Sequence, residues 1–115
     1  MTTEYKVTYK TALYSMQEIM MEKIVELLES KQCLRIINEA RYGNAGILRC
    51  TDKGSLNTLL GIKYDFQYES ATFYLTYNGN EVKSNDGSDK FYMNYDRNPD
   101  DAFTEVLNTI DDLLS

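Results

Sequence analysis

The sequence has no histidine and no tryptophan, one proline, two cysteines and six glycines. Each scarcity removes a class of protein. Without histidine, the commonest general acid-base group and metal-binding nitrogen are missing, and two cysteines alone cannot complete an ordinary zinc site. No glycine-rich phosphate loop, nucleophile elbow or paired-ligand metal motif takes their place. The chain therefore reads as a non-enzyme with no cofactor and no metal. Asp96-Arg97-Asn98-Pro99-Asp100 opens like a calcium loop, but Asp101 stands where the glycine is needed and Leu107 where the bidentate glutamate is needed. Helix capping explains those residues better.

Long apolar runs are also absent. None approaches the roughly 20 residues of a membrane helix, and Met1-Thr2-Thr3-Glu4-Tyr5-Lys6 lacks the basic-then-apolar order of a secretion signal. A cytoplasmic protein without membrane association is expected, with Cys33 and Cys50 as free buried thiols. A chain reversal near Gly43-Asn44 sets Cys50 opposite Ile37 and leaves Cys33 away from it.

Basic charge is missing from the end of the chain. Residues 1–97 hold all 12 basic groups and 13 of the 18 acidic ones, while Asp100, Asp101, Glu105, Asp111 and Asp112 supply the remaining −5 of the net −6. This balance argues against direct binding to nucleic acid, whose affinity rests on basic patches. A rise of about 1.5 Å per residue puts Asp101 and Glu105 about 6 Å apart on a helix, with Asp112 on the same stripe. Such a row could fill the basic groove of a nucleic-acid enzyme. A solvated face in an acidic protein accounts for it more simply.

What the sequence does have is alternation. Leu60, Ile62, Tyr64, Phe66 and Tyr68 interleave with polar residues at the period of a half-buried strand. A reversal at Glu69-Ser70 sets Phe66 opposite Phe73 and Tyr64 opposite Leu75. Asn78-Gly79 supplies a type I′ turn that sets Val82 opposite Leu75, and Asp86-Gly87 repeats the device to set Phe91 opposite Val82. These four strands share an apolar row through Tyr64, Leu75, Val82 and Phe91. Lys63, Asp65, Gln67, Thr72, Tyr74, Thr76, Glu81, Lys83, Tyr92 and Asn94 are then left on the other face.

Around this meander, Tyr5, Val7 and Tyr9 predict a strand over residues 4–10. Ser15 and Glu18 have capping-box spacing, so a helix is expected from Met16, with a stripe of Met16, Ile19, Met20, Ile24, Leu27 and Leu28. The methionines read as core filling. Two less regular strands follow, Cys33–Ala40 and Gly46–Thr51, joined by a hairpin loop whose Gly-Asn-Ala-Gly run lacks the context of an anion cradle. Residues 55–59 suit a helical turn or a strand lead-in equally. Asn98 as N-cap and Pro99 at the first helical position start a last helix, with Phe103, Val106, Leu107, Ile110, Leu113 and Leu114 on one stripe.

The sum is a single α+β domain over residues 1–115, a curved antiparallel sheet in which a four-stranded meander is joined by two to three further strands, with two helices packed on one face. Ten tyrosines, several set among threonine, asparagine and mixed charge, give the composition of a protein-binding surface. The function expected is a small acidic protein-binding module, in its sharper form an inhibitor, immunity or anti-defence protein that blocks a basic nucleic-acid-handling partner. The residues expected at the interface are Asp101, Glu105, Asp112, Tyr74, Tyr92, Lys63 and Lys83. A dimeric chaperone or adaptor subunit, and a small-molecule-binding domain, are the alternatives.

Overall fold

The computed structural model describes residues 9–31, 35–42, 44–51, 57–95 and 99–115. Helix α1 (Tyr9–Ser30) is followed by strands β1 (Arg35–Tyr42), β2 (Ala45–Thr51), β3 (Thr58–Phe66), β4 (Ser70–Tyr77), β5 (Asn80–Val82) and β6 (Phe91–Asn94), then helix α2 (Pro99–Leu113). Among the described residues the six strands form one open antiparallel sheet in the order β1-β2-β3-β4-β5, with β6 also on β4. The expected α+β architecture is present.

The alternation read from the sequence sorts the two faces of the sheet. Leu48, Cys50, Leu60, Ile62, Tyr64, Phe66, Ala71, Phe73, Leu75, Phe91 and Met93 lie in one buried cluster with Met20, Ile24 and Leu28 of α1 and Phe103, Val106 and Ile110 of α2. Both helices therefore cover the same face. Burying each large side chain contributes roughly 1.5–3 kcal/mol. A one-residue slip of β3 would turn Ile62, Tyr64 and Phe66 outward together, a loss comparable to the net stability of a domain. Tyr64 remains at the rim because its hydroxyl donates to Asn38 Oδ1 at 2.8 Å.

Several registers differ from expectation, each for a local reason. Phe66 lies opposite Ala71, and Tyr64 opposite Phe73, because the chain reverses at Tyr68-Glu69, where Gln67 N–H donates to Ser70 C=O at 2.8 Å. A shift of two residues leaves every side chain on its face. Cys50 lies opposite Ile36 rather than Ile37, because a bulge between Ala40 and Tyr42 moves the β1–β2 register by one residue. Phe91 pairs with Phe73 of β4 and not with Val82. Strands β5 and β6 are thus two halves of one edge strand, interrupted by an excursion over residues 83–90.

The start of the first helix changes as well. Tyr9 and Lys10, expected to end a strand, are helical, and Ser15 lies inside α1 rather than capping it. Alternation over so few residues is a weak period signal, and Lys10, Ala12 and Leu13 are good helix formers. Residues 4–8 lie outside the described residues. Ile19 is 51% exposed. It stands roughly 100° around the helix from Met20, off the buried line of Met20, Ile24 and Leu28. Thr58 and Leu59 belong to β3, and α2 begins at Pro99 as expected. Cys50 is buried and disulfide-bonded, which overturns the free-thiol reading. Cys33, the other cysteine of the sequence, lies outside the described residues.

Candidate functional site

Because the helices take one face, the other is a continuous surface whose rows follow from the strand pairing. One row runs Ile37–Arg49–Gly61–Thr76–Glu81, the next Glu39–Ile47–Lys63–Tyr74, and the third Ala45–Asp65–Thr72–Tyr92. Apart from Gly61, none of these residues is buried. Gly61 is closed over by its cross-strand neighbour, since a Cβ there would lie 2.7 Å from Thr76 Oγ1. A larger residue would push Thr76 aside.

Two ion pairs and a cation–π contact lie on this face. Arg49 Nε meets Glu39 Oε1 at 2.6 Å, Lys83 Nζ meets Glu81 Oε1 at 2.8 Å, and Lys63 Nζ lies 5.4 Å from the centre of the Tyr74 ring. The hydrogen bond and charge of Glu81 hold the Lys83 ammonium above its ordinary pKa. Tyr92 is 53% exposed on the outer row, and Tyr68 is exposed at the β3–β4 turn. A cleft of about 380 Å³ opens beside Ile47, Lys63, Asp65 and Gln67. Its end is closed by the β1–β2 hairpin, where Asn44 accepts from Phe66 N–H at 2.8 Å and its side-chain amide donates back to Phe66 C=O. The asparagine of the 43–46 run is therefore a hairpin tie.

At the opposite edge the 83–90 excursion is held by its own side chains. Asp86 accepts from the Ser84 hydroxyl and from Ser88 N–H at 3.0 Å. These two bonds, the hydroxyl first, draw the Asp86 carboxyl below its ordinary pKa. Asn85 N–H donates to Glu105 Oε2 of α2 at 2.6 Å, fastening the excursion to the helix. A second cleft, of about 370 Å³, lies between them, with Lys90, Tyr92 and Ala102 in its wall.

The residues singled out from sequence fall on two separate surfaces. Tyr74, Tyr92 and Lys63 lie on the open face, and Lys83 lies just beyond β5 at the same edge. Asp101 and Asp112 are exposed on α2, which packs on the opposite side of the sheet, and Glu105 between them is occupied by the Asn85 amide. The neighbouring Asp111 pairs with Lys31 of α1 at 2.5 Å. The acidic row is thus partly used inside the molecule. Ile37, Glu39, Ile47 and Arg49 belong to the open face and were not singled out. The inward placement of Leu48 and Cys50 was their available signal.

Among the described residues no cluster of three or more His, Cys, Asp or Glu side chains could hold a metal, and no helix is long and apolar enough to cross a membrane. Comparison with protein-family models, curated proteins and solved structures finds no match to this chain.

Proposed function

We propose that this chain is a non-catalytic protein-binding module and that the open face of its sheet is the contact surface. One observation carries the reading. A whole sheet face bears no helix among the described residues and presents Tyr74, Tyr92, Ile47 and Lys63 together, with Arg49 paired to Glu39 and Lys83 to Glu81. Rigid rings give contact area at low entropic cost, and paired charges lower the cost of covering the face. Inhibition of a partner by masking its surface is the form of activity such a module offers.

A second reading keeps Asp101 and Asp112 as the docking row for a basic, nucleic-acid-handling partner. It is favoured by their exposure and by the concentration of −5 at the chain end. The use of Glu105 and Asp111 inside the fold weakens it. Affinity capture from the native host, with wild type and variants as bait, separates the two. Tyr74→Ala with Tyr92→Ala should weaken binding of the captured partner on the order of thirtyfold, the effect of truncating interface aromatics. Asp101→Lys with Asp112→Lys should change it only a few fold. The reverse pattern would transfer the interface to α2.

A further inference from the structure

The two edges of the sheet are built differently. The β5/β6 edge is broken by the 83–90 excursion, whereas β1 runs for eight residues, and among the described residues no strand pairs with its outer side. Backbone alternation fixes which groups of β1 point outward. Phe66 N–H donates to Asn44 C=O while Leu59 C=O accepts from Asn78 N–H, so the even-numbered residues of β3 bond towards β2 and the odd-numbered ones towards β4. Carried through Leu48↔Ile62 and Arg49↔Ile37, this makes Ile37 and Glu39 the residues of β1 bonded to β2. The N–H and C=O groups of Ile36 and Asn38 point away from the sheet.

Antiparallel pairing with a second copy must set outward residues against outward residues. Centring the two-fold on Asn38 sets Arg35 opposite Arg41, and centring it on Glu39 sets Glu39 opposite itself. Centring it on Ile37 sets Ile36 opposite Asn38, so that four backbone bonds form. Ile37 then faces Ile37 and Arg35 faces Glu39 twice, at the closely spaced, non-hydrogen-bonded positions where cross-strand pairs interact best. Glu39, already accepting from Arg49, would stand between two arginines.

We infer that β1 is a self-association edge, through which two copies of this chain join their sheets about an axis at Ile37. The charges that would otherwise guard an edge strand are complementary in this register. So short an interface buries much less than the roughly 1,200 Å² of a stable complex, so the dimer is weak and concentration-dependent. It does not depend on the open face binding another protein.

Sedimentation velocity over a dilution series, paired with amide exchange by NMR, tests it. Average mass should rise with concentration towards the dimer. Amides of Ile36 and Asn38 should gain protection as it does, while those of Ile37 and Glu39, already bonded to β2, stay unchanged. Arg35→Glu, Ile37→Lys and Glu39→Lys should each weaken association roughly tenfold or more, and Tyr92→Ala should leave it unaltered. Three separate variants keep the test valid if one fails to fold. A wild type that stays monomeric at about millimolar concentration, folded variants that associate as strongly as wild type, or association without a response at Ile36 and Asn38 would overturn the inference.

Discussion

Asn78-Gly79 and Asp86-Gly87 lie eight residues apart in the same half of the chain, and each sets its glycine in the left-handed region, at φ 81° and 84°. The first closes a two-residue hairpin, with Tyr77 opposite Asn80 and β5 running straight back along β4. The second is the tip of an excursion that leaves the edge strand after Val82 and rejoins it at Phe91. Their flanks account for the difference. Leu75-Thr76-Tyr77 and Asn80-Glu81-Val82 alternate as strands do. Asp86 and Ser88 instead offer side-chain oxygens that bond the nearby backbone, Asp86 Oδ1 taking Ser88 N–H at 3.0 Å and Ser88 Oγ taking Lys90 N–H at 3.3 Å. Such local bonds compete with a ladder. An Asx-Gly pair reverses a chain, and the residues beside it decide whether strands follow.

Deletions test that contrast most severely. Removing Ser84–Lys90, seven residues, should splice Lys83 to Phe91 and set Phe91 where an uninterrupted strand would meet Phe73. The fold should survive with a change of about 1 kcal/mol, read by chemical denaturation. Removing Ser84–Asp89 instead leaves Lys90 in that place and turns Phe91 and Met93 outward, at a cost of roughly 3–6 kcal/mol. Equal effects would refute the view of β5 and β6 as one strand. Gly79→Ala should cost about 1 kcal/mol because a side chain is strained at that φ. Gly87→Ala should cost less, since the excursion can relax without disturbing the ladder.

The smallest effects concern protons. At Asp86 the carboxyl is held below its ordinary pKa, so its support of the excursion is present at neutral pH and is lost as pH falls through the folded value. Amide exchange of Ser88 should quicken there while that of Asn80 does not. Tyr95 lies just beyond β6, and its hydroxyl is buried with no hydrogen-bond partner among the described residues. Burial pushes its pKa up to about 12. The folded state therefore resists ionisation, and stability should be intact below pH 10 and fall between pH 10 and about 12. Tyr95→Phe should be neutral or stabilising at pH 7 and should reduce that alkaline loss.

How far the sequence could be read depends on which quantity is asked for. Face assignment was legible, because a parity error would expose a whole row, and Phe66, Leu75 and Phe91 do share one core. Pairing partners were less so. A turn at Tyr68-Glu69 rather than one residue later at Glu69-Ser70 shifts the pairing by two, keeps every face and so leaves no trace in the pattern, and a bulge at Ala40/Tyr42 has no marker in Ala40-Arg41-Tyr42. The start of α1 was misplaced because a local capping signal at Ser15 was weighed above the helix-forming residues before it. At the candidate site, Tyr74, Tyr92 and Lys63 followed from parity, while the use of Glu105 by the excursion is a contact between segments 20 residues apart, which no local pattern encodes.

One face of the sheet is core, and the other is the proposed contact surface. Hydroxyl-radical footprinting of the tyrosines, free and in the captured complex, tests it most directly. In the free protein Tyr92 and Tyr68 should react readily while Tyr64 is protected, and in the complex Tyr74 and Tyr92 should lose reactivity. A reactive Tyr64 in the folded protein, or a Tyr92 that reacts equally in both states, would contradict the account.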